Sequence, residues 1–133
     1  GDGGTEKSKI VEKIQENNVQ DCLILLGAKK NPYPFIAQSD ILVCPSYTEA
    51  CPNVVNEAKI LHVPVVAADF PSAYEFITHG ENGFIVPVEE MANLLIDLCE
   101  KKEMLQKVKD GISGFVYDNH QIEKQIHELI MRN

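Results

Sequence analysis

The strongest constraint on the fold is the order of patterns within residues 40–66, which read DILVCPSYTEACPNVVNEAKILHVPVV. An apolar run at residues 41–43 is followed by a polar turn, and a second apolar run begins at Pro64. Between the two runs, Val54, Ala58 and Leu61 stand at the i, i+4 and i+7 positions of an amphipathic helix. A strand, a loop, a helix and a strand in this order predict one βαβ unit, the building block of parallel sheets.

The rest of the chain continues this alternation of short apolar runs and helical patterns. Further strands are predicted at residues 22–26, 64–67 and 84–86, and the first of them, apolar on both faces, is expected to be buried. Helices are predicted at residues 5–17, 33–38 and 72–77, the last with Ser72 and Glu75 as a capping box. Amphipathic helical faces follow, with a break at residues 111–114 and a final helix that opens at Asp118 or Asn119. The predicted class is therefore α/β, Rossmann-like, with a doubly wound parallel sheet.

Composition and charge exclude several classes of protein. A chain of 133 residues suffices for one domain, and a formal net charge of −8 argues against nucleic acid or an anionic membrane as the main partner. No apolar run approaches the roughly 20 residues of a membrane span, and the opening residues lack an apolar signal segment. The four histidines show no metal-ligand spacing, so no bound metal is expected.

The four cysteines are Cys22, Cys44, Cys51 and Cys99, and they have neither zinc-site nor redox-motif spacing. Cys22 and Cys44 lie within apolar runs and are expected to be small buried hydrophobic residues. Free thiols are typical of a reducing compartment, which predicts a cytoplasmic protein.

The start of the central helix carries the candidate chemistry. Proline suits the first helical position, so the sequence places that start at Pro52. The next N–H groups, on Asn53 and Val54, have no partner within the helix, and with the helix dipole they form an anion site.

Two acidic residues flank that anion site. Glu57 follows Asn53 by one turn, about 5.4 Å, which is about the step from a diphosphate to its ribose. A carboxylate there can accept both ribose hydroxyl protons, and Glu49 precedes the helix on the other side of the site. Spacing alone leaves open that Glu57 is a flanking surface charge and Glu49 an ordinary loop acid.

A wider set of residues carries a family pattern. Its segments are Pro45-Ser46-x-x-Glu49, Pro52-Asn53-Val54-x-x-Glu57-Ala58, Pro64-Val65-Val66, Glu75 and Gly83-Phe84-Ile85-Val86-Pro87, with a weaker match at Gly1-Asp2-Gly3, Gly27 and Asn31-Pro32-Tyr33. Glu49 and Glu57 form an E-x7-E motif after a strand and across a helix start. On these residues the chain resembles the C-terminal, nucleotide-sugar-binding domain of retaining GT-B glycosyltransferases, the large group 1 family of bacterial polysaccharide and lipopolysaccharide enzymes.

The resemblance implies both a fold and a reaction. The fold is the C-terminal half of a GT-B enzyme, and the reaction transfers a hexosyl group from a nucleotide-diphosphate sugar to an acceptor with retention of anomeric configuration. Glu49, the implied catalytic position, contacts the donor sugar ring, and Glu57 binds the ribose. The implied diphosphate cradle is the backbone of Ala50, Cys51, Pro52 and Asn53; Ser46 and Gly3 are further donor-binding positions, and the segment after Gly27 faces the base. No metal or cofactor is implied, because helix-end amides and basic side chains neutralise the leaving diphosphate.

The chain also departs from the family pattern. Ala50 stands where glycine is usual, and His62 replaces a glycine that commonly ends the helix in a left-handed conformation, which histidine adopts at a cost. Two strands and an acceptor domain that the family places before Gly1 are absent. The chain is therefore predicted to be a single nucleotide-sugar-binding domain over residues 1–133, truncated at its N-terminus and inactive alone.

The same resemblance implies the partners and the location of the protein, and it leaves alternative functions open. The expected partners are a nucleotide-sugar donor and the acceptor domain of the same full-length protein, which would be cytoplasmic or peripheral at the inner membrane face. Two other functions fit these residues: a non-catalytic nucleotide-sugar-binding module, and a GT-B-fold sugar-nucleotide epimerase. Tyr33 is expected either to pack in the core or to stack on a base. Glu75 is shared with the family pattern and is also explained as a capping residue.

Overall fold

The computed structural model describes residues 5–45, 52–115 and 120–131. The chain separates into two compact units, Gly1–Pro32 and Tyr33–Asn133. Helix α1 (Thr5–Glu16) lies in the first unit, close to its predicted bounds. The described elements of the second unit are α2 (Tyr33–Ala37), β1 (Leu42–Cys44), α3 (Pro52–Ile60), β2 (Val65–Ala68), α4 (Ala73–Phe76), β3 (Gly83–Val86), α5 (Val88–Glu100), α6 (Lys102–Ser113) and α7 (His120–Met131).

Among the described residues, three parallel strands form a sheet, in the order β1-β2-β3. Leu42 of β1 lies opposite Val65 of β2, which in turn lies opposite Gly83 of β3. Helix α3 connects β1 to β2, as the pattern in residues 40–66 predicted. The βαβ unit and the α/β class with a parallel sheet are therefore confirmed.

Val65, Val66 and Ala67 of β2 point alternately into two apolar layers, as successive residues of a strand do. Val65 and Ala67 belong to a cluster that includes side chains of α2, α3 and α4. Val66 belongs to a second cluster, built with side chains of α5 and α6. Because helices cover both faces of β2, the sheet is doubly wound, and all four residues of this strand are 0% exposed.

Helix α6 runs through the position where its pattern predicted a break. It continues across Gly111 to Ser113, and Ile112 is fully buried. A Cβ atom at Gly111 would overlap the carbonyl oxygen of Glu81, in the turn before β3. The glycine thus permits a close approach between α6 and that turn. The helix ends at Ser113, so the break predicted at residues 111–114 falls at Gly114 and not at Gly111.

Residues 22–26 do not form the buried strand that their composition predicted. The side chains of residues 23–26 are between 42% and 79% exposed. Cys22 is exposed as well, and the N–H groups of Cys22 and Leu23 both donate to the carbonyl oxygen of Val19 at 3.0 Å, within a turn. A buried strand must satisfy its backbone groups by pairing, and no strand in the described part of the chain pairs with this run.

The capping box predicted at Ser72 and Glu75 is also wrong. Ser72 has helical backbone angles, with φ −73° and ψ −13°, and its side chain makes no capping hydrogen bond. A capping side chain reaches the first helical N–H groups from an extended backbone, which Ser72 lacks. Its carbonyl oxygen instead accepts a hydrogen bond from the Glu75 N–H at 3.2 Å.

The cysteines agree with expectation only in part. Cys44 is buried at the end of β1, as predicted, but it is disulfide-bonded. Cys22 and Cys99 are free and exposed. The prediction of free thiols is therefore wrong for Cys44, and the prediction of burial is wrong for Cys22 because its run is not a strand.

Within the described ranges, no helix combines the length and the apolar character that a membrane span requires.

Candidate functional site

The N-terminal end of α3 is the candidate anion site. The helix begins at Pro52, as predicted, and proline there costs no hydrogen bond because the first N–H groups of any helix lack an intrahelical acceptor. The N–H groups of Asn53 and Val54 therefore have no acceptor within the helix, and they lie at the positive end of its dipole. Asn53 is exposed, and α3 follows the carboxyl end of a parallel strand, where ligands of open α/β sheets bind.

Glu57 lies one turn further along α3 and is half-buried. Its Oε1 atom accepts a hydrogen bond from the hydroxyl group of Tyr33, the first residue of α2, at 3.2 Å. Burial raises the pKa of Tyr33, and the charge of Glu57 and the hydrogen bond to it raise that pKa further. The Tyr33 hydroxyl therefore keeps its proton at neutral pH and acts as the donor.

The ring of Tyr33 packs against the apolar cluster that α2, α3 and α4 share on one face of the sheet. Of the two roles expected for Tyr33, packing is thus confirmed. Sequence reasoning missed the hydrogen bond to Glu57. The two residues are 24 positions apart and belong to different helices, so no periodic pattern links them.

The C-terminal end of α3 is fixed by His62, whose φ of 58° lies in the left-handed region. The N–H of His62 donates to the carbonyl oxygen of Lys59 at 3.0 Å, and the N–H of Val63 donates to that of Ala58 at 2.8 Å. These two bonds form a Schellman motif. The left-handed conformation expected at His62 is confirmed, and it leads the chain from α3 directly towards β2.

Lys59, two residues after Glu57, is a buried cation that sequence reasoning missed. The residue is 8% exposed, its Nζ donates to the carbonyl oxygen of Phe76 at 2.7 Å, and Nζ lies 4.4 Å from the centre of the Phe115 ring. Burial lowers the pKa of Lys59. Helical lysines are normally solvated, and these partners are distant in sequence, so the pattern around Lys59 carries no signal of its burial.

The predicted donor-site residues fall into three groups. Pro52, Asn53 and Glu57 are brought together on α3. Gly27 belongs to the first unit and has a left-handed φ of 68°. Outside the described residues lie Gly3, Ser46, Glu49, Ala50 and Cys51. The roles assigned to all of these residues stay predictions.

Metal ligation has no candidate cluster in the part of the chain that the structure describes, where no three His, Cys, Asp or Glu residues come together. Metal independence stays a prediction.

The chain is similar to glycosyltransferases from other organisms. It is 42% identical over 69 residues to an uncharacterised glycosyltransferase of Methanocaldococcus jannaschii, a match that covers 52% of this chain and 17% of that protein. It is 25% identical over 128 residues to the N-acetyl-alpha-D-glucosaminyl L-malate synthase of Bacillus anthracis, covering 94% of this chain and 34% of that enzyme. The chain thus spans about a third or less of the length of these relatives.

A solved structure has the same fold. Anabaena Alr3699/HepE in complex with UDP and glucose superposes with a TM-score of 0.70 and 22% identity, covering 94% of this chain and 34% of that protein. The likeness confirms the Rossmann-like α/β fold. A family model described as Glycosyl transferases group 1 matches residues 1–101. The chain therefore belongs to the glycosyl transferases group 1 family, which its sequence resembled.

Proposed function

We propose that this chain is the donor-binding part of a glycosyltransferase that moves a hexosyl group from a nucleotide-diphosphate sugar to an acceptor with retention of anomeric configuration. The observation that carries the proposal is the arrangement on α3. The N-terminus of the helix at Pro52, where the first N–H groups lack an intrahelical acceptor, lies one turn from a half-buried carboxylate, Glu57, that is already held by a hydrogen bond. Family membership and the likeness to a protein captured with UDP and glucose support it.

In the proposed donor complex, each part of the ligand meets a different group. The diphosphate accepts hydrogen bonds from the N–H groups at the start of α3, next to Pro52 and Asn53. The ribose hydroxyls donate to Glu57, one turn away. Glu49 contacts the donor sugar ring and is the proposed catalytic residue, with Ser46, Ala50 and Cys51 beside the diphosphate. The family pattern assigns Gly27 and Gly3 to donor binding as well.

The proposal also covers cofactors, partners and location. No metal takes part, because amide dipoles and basic side chains neutralise the departing diphosphate. The acceptor binds to a further domain of the same protein, so this chain alone is expected to bind donor without transferring sugar. The protein acts in the cytoplasm, without nucleic acid and without direct membrane contact by this part.

Calorimetric titration with UDP-, GDP- and ADP-sugars tests donor binding directly. One of the three series is expected to bind, with the same affinity in EDTA as in Mg²⁺. Glu57→Ala removes an acceptor of charge-assisted hydrogen bonds, each worth about 1.5–3 kcal/mol, and is expected to weaken binding by at least about tenfold. Glu100→Ala is the matched control, because it removes one exposed carboxylate from the end of α5.

Three outcomes would contradict the proposal. Equal affinity in Glu57→Ala and Glu100→Ala would remove the ribose assignment. Binding that is lost in EDTA would remove metal independence. Failure of all three nucleotide-sugar series to bind would remove the donor-site assignment itself.

A further inference from the structure

The hydrogen bond between Tyr33 and Glu57 joins helix α2 to helix α3. Tyr33 begins α2, and Glu57 lies in the middle of α3. Both residues are half-buried. In the described part of the chain, Tyr33 is the residue that donates a hydrogen bond to the Glu57 carboxylate.

The donor side of this bond is held in place. Pro34 and Ile36, the neighbours of Tyr33 in α2, are buried. The ring of Tyr33 itself packs on the cluster shared with α3 and α4. A tyrosine has two side-chain torsions and a rigid ring, so packing of the ring also fixes the position of its hydroxyl.

The hydrogen bond also restricts the orientation of its acceptor, the Glu57 carboxylate. The last torsion of a glutamate is broad and roughly two-fold, so an unrestrained carboxylate samples many orientations. A carboxylate has about four lone-pair positions. A hydroxyl fixed at Oε1 takes one of them and orients the carboxylate plane, leaving acceptor positions for ligand hydroxyls.

We propose that Tyr33 is a positioning residue that orients the Glu57 carboxylate for the two hydroxyls of a ribose, and that it thereby sharpens selection of ribonucleotides over 2′-deoxyribonucleotides. The inference rests on the proposed donor function, and specifically on the ribose role of Glu57. If Tyr33 served packing alone, phenylalanine would fill the position equally well. The hydroxyl is the part of Tyr33 that the selection requires.

Tyr33→Phe keeps the ring in the core and removes only the hydroxyl, so this variant separates the two roles. The measurement is calorimetric affinity of the whole chain for UDP, GDP and ADP and for their 2′-deoxy counterparts. Tyr33→Phe is expected to weaken binding of the preferred ribonucleotide about three- to tenfold, as for loss of one hydrogen bond. Binding of the 2′-deoxy form, which keeps only the 3′-hydroxyl, is expected to weaken less, so the ribo-to-deoxy ratio falls.

A double-variant cycle tests whether Tyr33 acts through Glu57. With Glu57→Ala as background, the added Tyr33→Phe change is expected to have no further effect on either ligand. Equal weakening of ribonucleotide and deoxyribonucleotide, or an additive effect in the double variant, would overturn the inference. Near-identical urea midpoints of Tyr33→Phe and the unaltered chain serve as the folding control.

Failure of the inference and failure of the proposed function give different results. If Glu57→Ala abolishes the preference for ribonucleotides while Tyr33→Phe leaves it intact, only the role of Tyr33 is overturned. If the unaltered chain binds ribo- and deoxyribonucleotides equally, or binds none of them, the ribose role of Glu57 and the inference are overturned together.

Discussion

Two apolar runs of this chain have similar composition and opposite structures. Residues 63–68 read VPVVAA and contain β2, whose four residues are 0% exposed. Residues 22–26 read CLILL, and Ile24 at their centre is 79% exposed. β2 pairs with β1 on one side and β3 on the other, whereas the described residues offer residues 22–26 no such strand. Apolar composition permits burial, and neighbouring strands decide whether it occurs.

The free energies of side-chain burial and of backbone pairing explain why neighbouring strands decide whether an apolar run is buried. Burial of a valine or leucine side chain stabilises by about 1.5–3 kcal/mol. Each backbone N–H or carbonyl group that is buried without a partner costs about 1–3 kcal/mol. Since an extended residue has one group of each kind, a run without pairing loses as much from its backbone as it gains from its side chains. In β2, the ladder on both sides removes that cost.

The largest expected effect comes from a charge placed in each run. Val66→Asp puts a carboxylate with no partner into the layer shared with α5 and α6, and it is expected to cost more than about 4 kcal/mol and to unfold the chain. Leu25→Asp alters a side chain that is 46% exposed and is expected to change the free energy of unfolding by less than about 0.5 kcal/mol. Urea unfolding followed by circular dichroism measures the stability of both variants. Similar losses of stability would contradict the difference between the two runs.

A smaller effect is expected where β3 approaches β2. A Cβ atom at Gly83 would lie 2.8 Å from the carbonyl oxygen of Val65 and 3.0 Å from Cγ2 of Ile77. Because that carbonyl belongs to the sheet backbone, Gly83→Ala is expected to cost about 1–3 kcal/mol. Gly114→Ala, where a Cβ would meet nothing within 4 Å, is the control in thermal unfolding. Equal melting temperatures in the two variants would mean that β3 can move away from β2 without loss of stability.

The contrast between buried and exposed positions extends to lysines. Burial lowers the pKa of Lys59 in the folded state, so just below its unfolded pKa of about 10.4 the folded chain binds fewer protons than the unfolded chain, and stability rises with pH. The stability of the unaltered chain minus that of Lys59→Met is expected to be constant near pH 7 and to increase towards pH 10.4. Lys30→Met, an exposed lysine of the first unit, controls for the lost charge in urea titrations. A difference that falls with rising pH would contradict a desolvated Lys59.

The smallest expected effect compares the helix ends of the two units. α1 ends as α3 does: Asn18 has a φ of 53°, and the Val19 N–H donates to the carbonyl oxygen of Ile14 at 3.1 Å. His62→Gly removes steric strain and is expected to raise the free energy of unfolding by about 0.5–1 kcal/mol. Asn18→Gly is expected to add only about 0.3 kcal/mol, because asparagine already tolerates this region. Urea midpoints resolve the difference, and a destabilised His62→Gly would reveal a favourable contact of the imidazole.

The features that the sequence predicted are those with a local cause. Pro52 starts a helix because of its own missing N–H, and the helix ends at His62, where the His62 N–H bonds to the residue three positions earlier and the Val63 N–H to the residue five positions earlier. The strand alternation at Val65 and Val66 is equally local. These signals placed the βαβ unit and put Asn53 and Glu57 one turn apart.

The features that the sequence did not predict depend on partners far along the chain. The burial of Lys59 needs Phe76 and Phe115, and the orientation of Glu57 needs Tyr33. The sequence predicted that the helix breaks at Gly111. A glycine is required there because of the Glu81 carbonyl, which lies outside α6 and far along the chain. The same limit applies to residues 22–26. Their composition indicates a strand, but whether another strand pairs with them depends on residues elsewhere in the chain.

The exposed apolar run has a consequence for the lifetime of the chain. Exposed segments outside helices and strands are where proteases cut first, and residues 23–26 present four large apolar side chains to solvent. A single cut there would separate α1 from the rest of the chain without breaking the pairing of β1, β2 and β3, because these strands lie within Tyr33–Asn133. Turnover is therefore expected to begin at this run, ahead of any opening of the sheet that carries Glu57.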